Sequence, residues 1–460
     1  MTTIFANATI VTVDPAQRVL HDAALAVDGD RIVAIGDTND VAAAYLTGQT
    51  IDLRGKVLLP GLVNCHAHLT LTVNRGITED LSYPPQIRQP TYVRDFMTGE
   101  DTEAMARLGA LEALRGGTTT ILENAQGIGA YANALASTGL RWVFAEHSRD
   151  AVTPAGWRTG DPVAAFSAEE REMALQRIHD LFSRWHGQAG GRVTCFPAAR
   201  LTEAASPELL HAVRELAQRH GVGYTIHVSQ SAQEVETMLQ AHAIRPVAYL
   251  AAHDFLGPRL IAAHCRFVDN AEINLLGVSE TVVTHQPGTS GKHGVIPPIV
   301  ALQQAGCPVV LGTDNNTQDM WEVMRIGLIM ERVLRDGSRP APNHLLAQAT
   351  IGGATALGLG ADIGSLEVGK KADLIVVDTQ KAHLTPTTSA VANLVHYAQA
   401  GDVHSVIVDG EFLMRDGHVL TMNEADVIAE ADAVGRRVWN TILERHPDAA
   451  LARRIAGSPG

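Results

Sequence analysis

The sequence predicts an α/β protein: a (β/α)8 TIM barrel with a small β-sandwich domain built from both chain ends. Three observations support this prediction. Eight apolar, strand-like runs alternate with helical stretches in the middle of the chain. Both ends consist instead of short alternating strands and turns. The length of 460 residues exceeds one small core, yet it accommodates a barrel and a second domain.

Both chain ends show the same sequence pattern of short strands separated by turns. Residues 1–56 contain "TIFANATIVTV" and "AALAVDGDRIVAIGD", with D-G and G-D turn signals. Residues 359–422 repeat the pattern in "KKADLIVVD" and "VHSVIVDGEFLMRDGHVLT". We expect both segments to form a single domain, and two unrelated terminal hairpins are the alternative. Residues 423–460 begin with "NEADVIAEADAVGRRVWNTILERH", which predicts an amphipathic helix packed on the barrel.

The middle segment, residues 57–358, predicts the barrel. Its strand-like runs are "KVLLPGLVNCH", "GTTTILEN", "LRWVFAEH", "RVTCFPAAR", "VGYTIHV", "LIAAHC", "ETVVTHQ" and "CPVVLGTD". Strands buried on both faces are continuously apolar, and most of these runs are. Helical stretches such as "SPELLHAVRELAQRHG" separate them, as a parallel barrel requires.

Composition and charge bear on the compartment and on which partners the protein could bind. The formal net charge is −14, which disfavours nucleic acid and anionic membrane surfaces. No run of 18 apolar residues and no secretory signal is visible. The four cysteines form no C-x-x-C motif, which suits a reducing compartment. We therefore expect a cytoplasmic protein with a small-molecule substrate, without nucleic acid or membrane as a partner.

Polar residues at strand ends predict a site, because barrel active sites lie at the C-terminal ends of the strands. His66 and His68 are two apart, so a strand places both on one face. Any one of the 20 histidines on its own is more readily explained as structural or solvated. Their joint placement with a carboxylate favours Zn²⁺ or a similar metal, which lowers the pKa of its water to about 7. Six residues form this candidate constellation: His66, His68, His227, His264, His285 and Asp314.

The motifs "LPGLVNCHAHLT", "IHVSQSAQEV", "AAHCRFVDNAEI", "VVLGTDNNTQDMWEVMR" and "IGSLEVGKKADLIVVD" resemble the metal-dependent amidohydrolase superfamily over nearly the whole chain. Within it the chain looks most like the branch of triazine chlorohydrolases and cytosine- or adenosine-type deaminases. The resemblance implies a mononuclear metal site and a homo-oligomer, either a dimer or a tetramer. Zn²⁺ is the favoured ion and Co²⁺ the alternative. The implied metal ligands are His66, His68, His227 and Asp314.

The resemblance also implies roles for the remaining site residues. His264 matches the histidine that orients a metal-bound hydroxide, Asp314 doubles as proton acceptor, and His285 matches a further histidine lining the site. One position departs from the pattern. The branch carries H-x-x-E, whereas this chain has His227-Val228-Ser229-Gln230, and Glu234 matches a second acidic position of the same motif. Glutamine forms hydrogen bonds but transfers no proton, and losing a general acid costs roughly 10²–10⁴ in rate.

The departure at Gln230 suggests a substrate that needs less protonation. Our leading hypothesis is that a metal-bound hydroxide attacks the carbonyl carbon of a small, largely apolar thiocarbamate, carbamate or urea. C–S or C–N cleavage follows, with Gln230 holding the carbonyl or amide. The resemblance extends to thiocarbamate (molinate) and phenylurea hydrolases. Retention of His66, where phenylurea hydrolases carry asparagine, favours the thiocarbamate group.

Two other functions stay open. One is hydrolytic deamination or dechlorination of a triazine, pyrimidine, pterin or purine, with Asp80 or Glu123 as the replacement acid. The other is a non-catalytic scaffold, which the four retained metal-ligand positions disfavour. A loop after the first barrel strand either closes an apolar pocket over the metal or only covers the surface. Its candidate residues are Tyr83, Pro84, Pro85, Tyr92 and Phe96.

Overall fold

The computed structural model describes residues 2–79, 92–154, 157–163, 165–334, 340–447 and 451. The strands are β1 (Thr3–Val11), β2 (Val19–Asp28), β3 (Arg31–Asp37), β4 (Gln49–Asp52), β5 (Lys56–Pro60), β6 (Leu62–Ala67), β7 (Thr118–Ala125), β8 (Arg141–Ser148), β9 (Ala151–Val152), β10 (Ala165–Phe166), β11 (Val193–Leu201), β12 (Tyr224–Val228), β13 (Leu260–His264), β14 (Val282–His285), β15 (Val309–Leu311), β16 (Leu374–Asp378), β17 (Val403–Val408), β18 (Glu411–Arg415) and β19 (His418–Val419).

The helices alternate with these strands through the middle of the chain. They are α1 (Thr38–Ala44), α2 (Gly99–Arg115), α3 (Ala132–Ala136), α4 (Ala168–Trp185), α5 (Gln188–Gly191), α6 (Pro207–His220), α7 (Ala232–His242), α8 (Pro246–Ala252), α9 (Asn270–Val278), α10 (Pro287–Lys292), α11 (Ile299–Gln304), α12 (Met320–Leu334), α13 (Pro342–Ala347), α14 (Gly353–Ala356), α15 (Ala390–Tyr397) and α16 (Glu424–Arg445).

An eight-stranded parallel sheet forms the barrel, in the order β6-β7-β8-β11-β12-β13-β14-β15. A parallel bridge between Ala67 and Asp314 links its first and last strands. Two backbone hydrogen bonds support it: Asp314 N–H donates to His66 at 2.9 Å, and His68 N–H donates to Asp314 at 2.8 Å. A Cβ at Gly312 would lie 2.8 Å from the His66 Cβ, so glycine permits this close approach. The predicted (β/α)8 barrel is confirmed.

Local sequence explains the barrel helices, as α6 illustrates. The Ser206 side chain accepts the Leu209 N–H and caps the helix N-terminus. Pro207 occupies the first turn, where its missing N–H has no helical partner to lose. Gly221 ends the helix with a φ of 70°, which glycine adopts at low cost. The helix is therefore positioned to follow β11 and lead into β12.

Both chain ends join one nine-stranded sheet, which confirms a second sheet domain. β5 connects the halves, because it pairs in parallel with β1 and antiparallel with β16. The apolar run "KVLLPGLVNCH" is thus divided at Gly61: Lys56–Pro60 lies in the terminal sheet and Leu62–Ala67 in the barrel. The sheet encloses its own apolar core, which includes Phe5, Leu25, Leu58, Leu374 and Ile407. The domain boundaries at 56, 358 and 422 remain predictions.

A buried ion cluster links the barrel to the terminal sheet. The Arg141 guanidinium on β8 donates to the Asp373 carboxylate at 2.9 and 3.0 Å, and to Asp409 at 2.7 Å. Burial lowers the pKa of Arg141, but the two carboxylates outweigh it and hold that pKa above its usual value. Arg141 therefore carries a fixed positive charge between the two sheets.

The C-terminal helix packs near the start of the barrel. The indole N–H of Trp439 on α16 donates to the Val73 carbonyl at 2.7 Å. Val434 and Val438 share an apolar cluster with Ala104 and Met105 of α2. The helix predicted from this tail thus covers the segment that follows β6.

Two bulk properties follow from the described part of the chain. None of its helices combines the length and apolar character that crossing a bilayer requires. All four cysteines are buried free thiols, in agreement with the absence of a disulfide pattern.

Candidate active site

The four predicted metal ligands converge at the C-terminal mouth of the barrel. The Nε2 atoms of His68 and His227 are 3.2 Å apart. Asp314 Oδ1 lies 3.5 Å from His68 Nε2 and 3.7 Å from His66 Nε2. All four residues are buried. Two overlapping groups have ligand atoms within 4.8 Å of one another: His66, His68 and His227, and His66, His264 and Asp314.

The outward hydrogen bonds of these histidines fit a metal centre. His68 Nδ1 is bonded to the Asn124 carbonyl, and His227 Nδ1 to the Arg200 carbonyl at 2.7 Å. A carbonyl only accepts, so each Nδ1 carries the proton and each Nε2 lone pair faces the shared centre. Both ring nitrogens of His66 are buried without a hydrogen-bond partner among the described residues. Three imidazoles and a carboxylate suit a divalent transition metal.

The protonation states agree with this reading. Burial lowers the pKa of His68 to about 4, and burial followed by the neighbouring His66 holds the pKa of His227 well below its usual value. Burial alone raises the pKa of Asp314, but its interaction with His66 and the nearby histidines holds that pKa well below the usual range. Neutral imidazoles and an anionic carboxylate are the forms that bind a metal.

His264 lies beside the predicted ligands. Its ring centroid is 5.4 Å from those of His66 and His227, and its Nδ1 is buried without a partner in the described chain. His264 and Asp314 have φ angles of 80° and 69°, in the left-handed region that non-glycine residues rarely adopt. Such strain clusters at functional sites, where it aims a side chain that a regular strand would point elsewhere.

His285, unlike the other five constellation members, belongs to neither group of clustered ligand atoms. It ends β14, and both of its ring nitrogens are buried without a partner among the described residues. Burial, with the Arg266 charge second, lowers its pKa to about 3. His285 is not among the described residues that line the active-site cavity. Its predicted role as a lining residue therefore finds no direct contact with that space.

Gln230 faces the cavity, whereas Glu234 does not. The Glu234 carboxylate accepts the backbone N–H groups of Ser229 and Gln230, each at 2.8 Å. Burial, followed by repulsion from Glu203, raises its pKa well above the usual range. Gln230 is 7% exposed and lines the cavity, and its Nε2 has no partner among the described residues. The amide therefore occupies the position that the family motif assigns to an acid.

The other acids considered as replacements have different surroundings. Asp80 lies outside the described residues. The Glu123 carboxylate accepts the Leu69 N–H and the Tyr131 hydroxyl, each at 2.9 Å, and is not among the lining residues. Burial raises its pKa to about 7. Glu79, which was not among the sequence-based candidates, lines the cavity and accepts the Gly76 N–H at 3.0 Å.

A cavity of about 680 Å³ opens above the ligand cluster. Tyr92 lines it, whereas Phe96 packs beside Arg445, whose guanidinium lies 5.0 Å from the ring. Tyr83, Pro84 and Pro85 lie outside the described residues. Sequence reasoning missed several lining residues, although the strand-end rule identifies three of them once residue type is not restricted: Asn124, His147 and Arg200. Two further basic residues line the cavity: Arg266 follows β13, and His293 ends α10.

With this fold and site established, comparison with known proteins gives the class. The sequence profile described as "Amidohydrolase family" matches residues 57–413. A second profile, "Imidazolonepropionase-like composite domain, bacteria", matches residues 23–45. The chain belongs to the amidohydrolase family and is a metal-dependent hydrolase.

Relatives and solved structures refine the comparison. The chain is 33% identical to a 5-methylthioadenosine/S-adenosylhomocysteine deaminase of Syntrophobacter fumaroxidans, over 95% of this chain and 98% of the relative. It is 34% identical to a 5'-deoxyadenosine deaminase of Methanobrevibacter smithii, over 88% and 92%. An adenosine deaminase from Xanthomonas campestris with bound zinc matches with a TM-score of 0.84 and 28% identity, over 95% and 98%.

The triazine branch is also represented among similar structures. The atrazine chlorohydrolase of Arthrobacter aurescens, complexed with zinc, matches with a TM-score of 0.82 and 23% identity, over 94% and 100%, and this supports the fold alone. The superfamily prediction is confirmed. The narrower resemblance to molinate and phenylurea hydrolases is not supported by these relatives, which favour the deaminase alternative. Zinc in similar structures supports a divalent metal, and nothing in them supports cobalt.

Proposed function

We propose that this protein is a hydrolytic deaminase of an amino-substituted N-heteroaromatic ring, with adenosine-type nucleosides as the first class to test. The supporting observation is the similarity, along nearly the whole chain, to enzymes named as deaminases of adenosine derivatives. The cavity of about 680 Å³ at the histidine–aspartate cluster falls in the usual size range of small-molecule sites.

The residues proposed to hold the metal are His66, His68, His227 and Asp314, with Zn²⁺ as the proposed ion. When bound, the ion supplies a Lewis acid that makes water a stronger nucleophile at neutral pH. The convergence of these four side chains, and the orientation of the His68 and His227 Nε2 atoms, support the assignment.

Side chains of the protein transfer one proton from the water to the leaving group. We propose that Asp314 accepts a proton from the attacking water while His264 orients that water by a hydrogen bond. The hydroxyl oxygen adds to the amino-bearing ring carbon, the C–N bond breaks, and the proton passes from Asp314 to the departing nitrogen, giving ammonia. Gln230 donates a hydrogen bond from Nε2 to the ring instead of protonating it.

One observation favours a second candidate, the hydrolysis of a carbamoyl-type substrate. The residue that faces the cavity after His227 is the amide of Gln230, and the nearby Glu234 carboxylate is directed to the backbone. A urea, carbamate or thiocarbamate carbonyl that the metal polarises needs less proton donation than an aromatic ring does. This substrate class therefore stays in the test.

A product assay on purified, zinc-loaded protein distinguishes the two candidates. One panel contains adenosine derivatives, aminopyrimidines, pterins and triazines, read by ammonia or chloride release. The other contains ureas, carbamates and thiocarbamates, read by amine or thiol release. Ammonia release that disappears in the Asp314→Ala variant supports the proposal. Turnover confined to the second panel overturns it.

The cytoplasmic location and a homo-dimeric or homo-tetrameric assembly are proposals of the same kind. The low cysteine count without disulfides and the acidic net charge of −14 suit a cytoplasmic enzyme. Light scattering on the purified protein measures the assembly directly, and a monomeric mass rejects the oligomer.

A further inference from the structure

Three side chains at the cavity wall, two carboxamides and one imidazole, contain buried polar atoms without hydrogen-bond partners among the described residues. These atoms are Oδ1 and Nδ2 of Asn124, Nε2 of His147 and Nε2 of Gln230. The residues are 0%, 8% and 7% exposed, and all three line the cavity. Buried polar groups are nearly always hydrogen-bonded, so such atoms at the wall of a cavity indicate a ligand that satisfies them. We call these three residues the neutral edge.

The neutral edge adjoins the proposed metal ligands. The Asn124 carbonyl accepts the His68 Nδ1 proton, so the Asn124 backbone is bonded to a ligand ring. The His147 ring lies 5.8 Å from that of His68 and 5.2 Å from that of His227, measured between centroids. Gln230 follows His227 by three residues. The neutral edge and three of the four proposed ligands, His68, His227 and Asp314, therefore line the same cavity.

Strand alternation explains why Asn124 and His147 point inward. Leu122 of β7 and Ala145 of β8 belong to one apolar cluster shared by several barrel strands. Side chains two residues apart lie on the same face of a strand. Asn124 and His147 are each two residues further along, at the strand ends, where the apolar interior gives way to the cavity.

The chemistry of the neutral edge is that of neutral hydrogen bonding. The uncharged imidazole form of His147 offers one donor nitrogen and one acceptor nitrogen. A carboxamide presents a donor and an acceptor side by side. That pair matches two neighbouring atoms of a heterocyclic base, in the way that asparagine and glutamine bind adenine bidentately.

We propose that Asn124 and His147 are specificity-determining residues that, with Gln230, bind the hydrogen-bonding edge of a neutral heterocyclic base. The edge recognised is a ring nitrogen bonded directly to the carbon that carries an amine or a carbonyl group, as N1 is in inosine and N3 is in uridine. This inference rests on the proposed function, because it names the substrate feature that a deaminase of heteroaromatic rings would read. An open-chain carbamoyl compound has no such ring nitrogen.

Binding of unreactive probes to the zinc-loaded protein tests the inference without turnover. Inosine and uridine present the edge, and 1-methylinosine and 3-methyluridine have it blocked. Of the two unblocked probes, we consider the one that the wild type binds more tightly. We expect Asn124→Leu and His147→Phe each to lower the affinity for this probe by roughly 10–100-fold, with little effect on the affinity for its methylated form. The control Thr70→Val, which removes a hydroxyl from the same cavity, should change neither. Calorimetric titration measures all four affinities.

The outcomes separate this inference from the proposed function. Unchanged affinity of both unblocked probes in both variants, or no binding of either by the wild type, overturns the inference. Ammonia release in the product assay would leave the deaminase proposal intact in that case. If the variants lose affinity for the unblocked probe but the product assay detects no ammonia, only the deaminase proposal is rejected.

A stability measurement excludes a purely structural role. Replacing an unpaired buried amide by an apolar side chain of similar shape removes a cost, so Asn124→Leu should keep its zinc and should not melt below the wild type. A lower melting temperature together with lost zinc would mean that Asn124 supports the fold, and would overturn its assignment. His147→Asn, which restores a polar group, should recover part of the affinity lost in His147→Phe.

Discussion

The backbone N–H of Gln230 donates to the Glu234 carboxylate at 2.8 Å, in the turn between β12 and α7. The same carboxylate accepts the Ser229 N–H, and Ser231 caps α7 by accepting the Glu234 N–H. Glu234 is thus committed to shaping the turn, and its burial keeps it from the substrate. The side chain that this turn presents to the cavity is the amide of Gln230.

Restoring an acid at this position should test which reaction the site performs. In a deaminase, Gln230→Glu supplies a proton donor to the ring, and a general acid contributes roughly 10²–10⁴ in rate. We expect kcat for ammonia release to rise at least ~10-fold. Steady-state kinetics on the best amino-heteroaromatic substrate measures it, with Gln230→Met as a control of similar size. An unchanged or lower kcat would argue against ring protonation as the limiting step.

Removing a proposed metal ligand should remove the metal. His66→Ala or Asp314→Ala opens a site whose four side chains lie within a few ångströms, so we expect metal content to fall from about one ion per chain to near zero and turnover to be lost. Elemental analysis after desalting measures the metal. The matched control is His21→Ala, an exposed histidine of β2. Full metal content in both ligand variants would contradict the assignment.

The buried Glu123 predicts a pH-dependent stability. Its pKa is about 7 in the fold, against 4.5 for an exposed glutamate. Between these two values the folded chain holds a proton that the unfolded chain releases. The contribution of Glu123 to the free energy of unfolding is therefore complete below pH 4.5 and is lost as the pH rises through 7. Glutamine does not ionise, so the free energy of unfolding of Glu123→Gln, relative to that of the wild type, should rise by on the order of 3 kcal/mol between pH 4.5 and 8.

Urea unfolding of both proteins at several pH values measures this difference. Glu100→Gln, at an exposed glutamate in the first turn of α2, serves as the control and should show no such trend. A constant difference between Glu123→Gln and the wild type across the range would mean that Glu123 is ionised in the fold despite its burial.

The cluster around Arg141 predicts a large loss of stability on substitution. Arg141→Met leaves the buried Asp373 and the half-buried Asp409 without their shared cation, and breaking a buried pair costs about 3–5 kcal/mol. The free energy of unfolding in urea measures the loss. Arg54→Met disrupts an exposed pair with Asp52 and should cost no more than about 1 kcal/mol. Similar losses in the two variants would refute the link between the sheets.

Part of the candidate site was predictable because its signal is local. His66, His227 and Asp314 each stand at or just after the end of an apolar strand, and parallel strands of a barrel all end at one mouth. Asn124 and His147 follow the same rule, but an asparagine is common in loops and one histidine among 20 carries little weight. Only their unpaired atoms at the cavity single them out.

The sequence by itself determined the barrel, the second sheet from both chain ends, the amidohydrolase family and the amide at position 230. These features depend on periodicity and motifs within short segments, which can be recognised without knowing how the segments pack. Tertiary structure alone decided that Glu123 faces Tyr131, that Glu234 faces the backbone, and that His285 stays off the cavity. The physical reason is that the direction and partners of a buried side chain depend on contacts between segments far apart in sequence. Glu123 joining Leu69 to Tyr131 is one such contact.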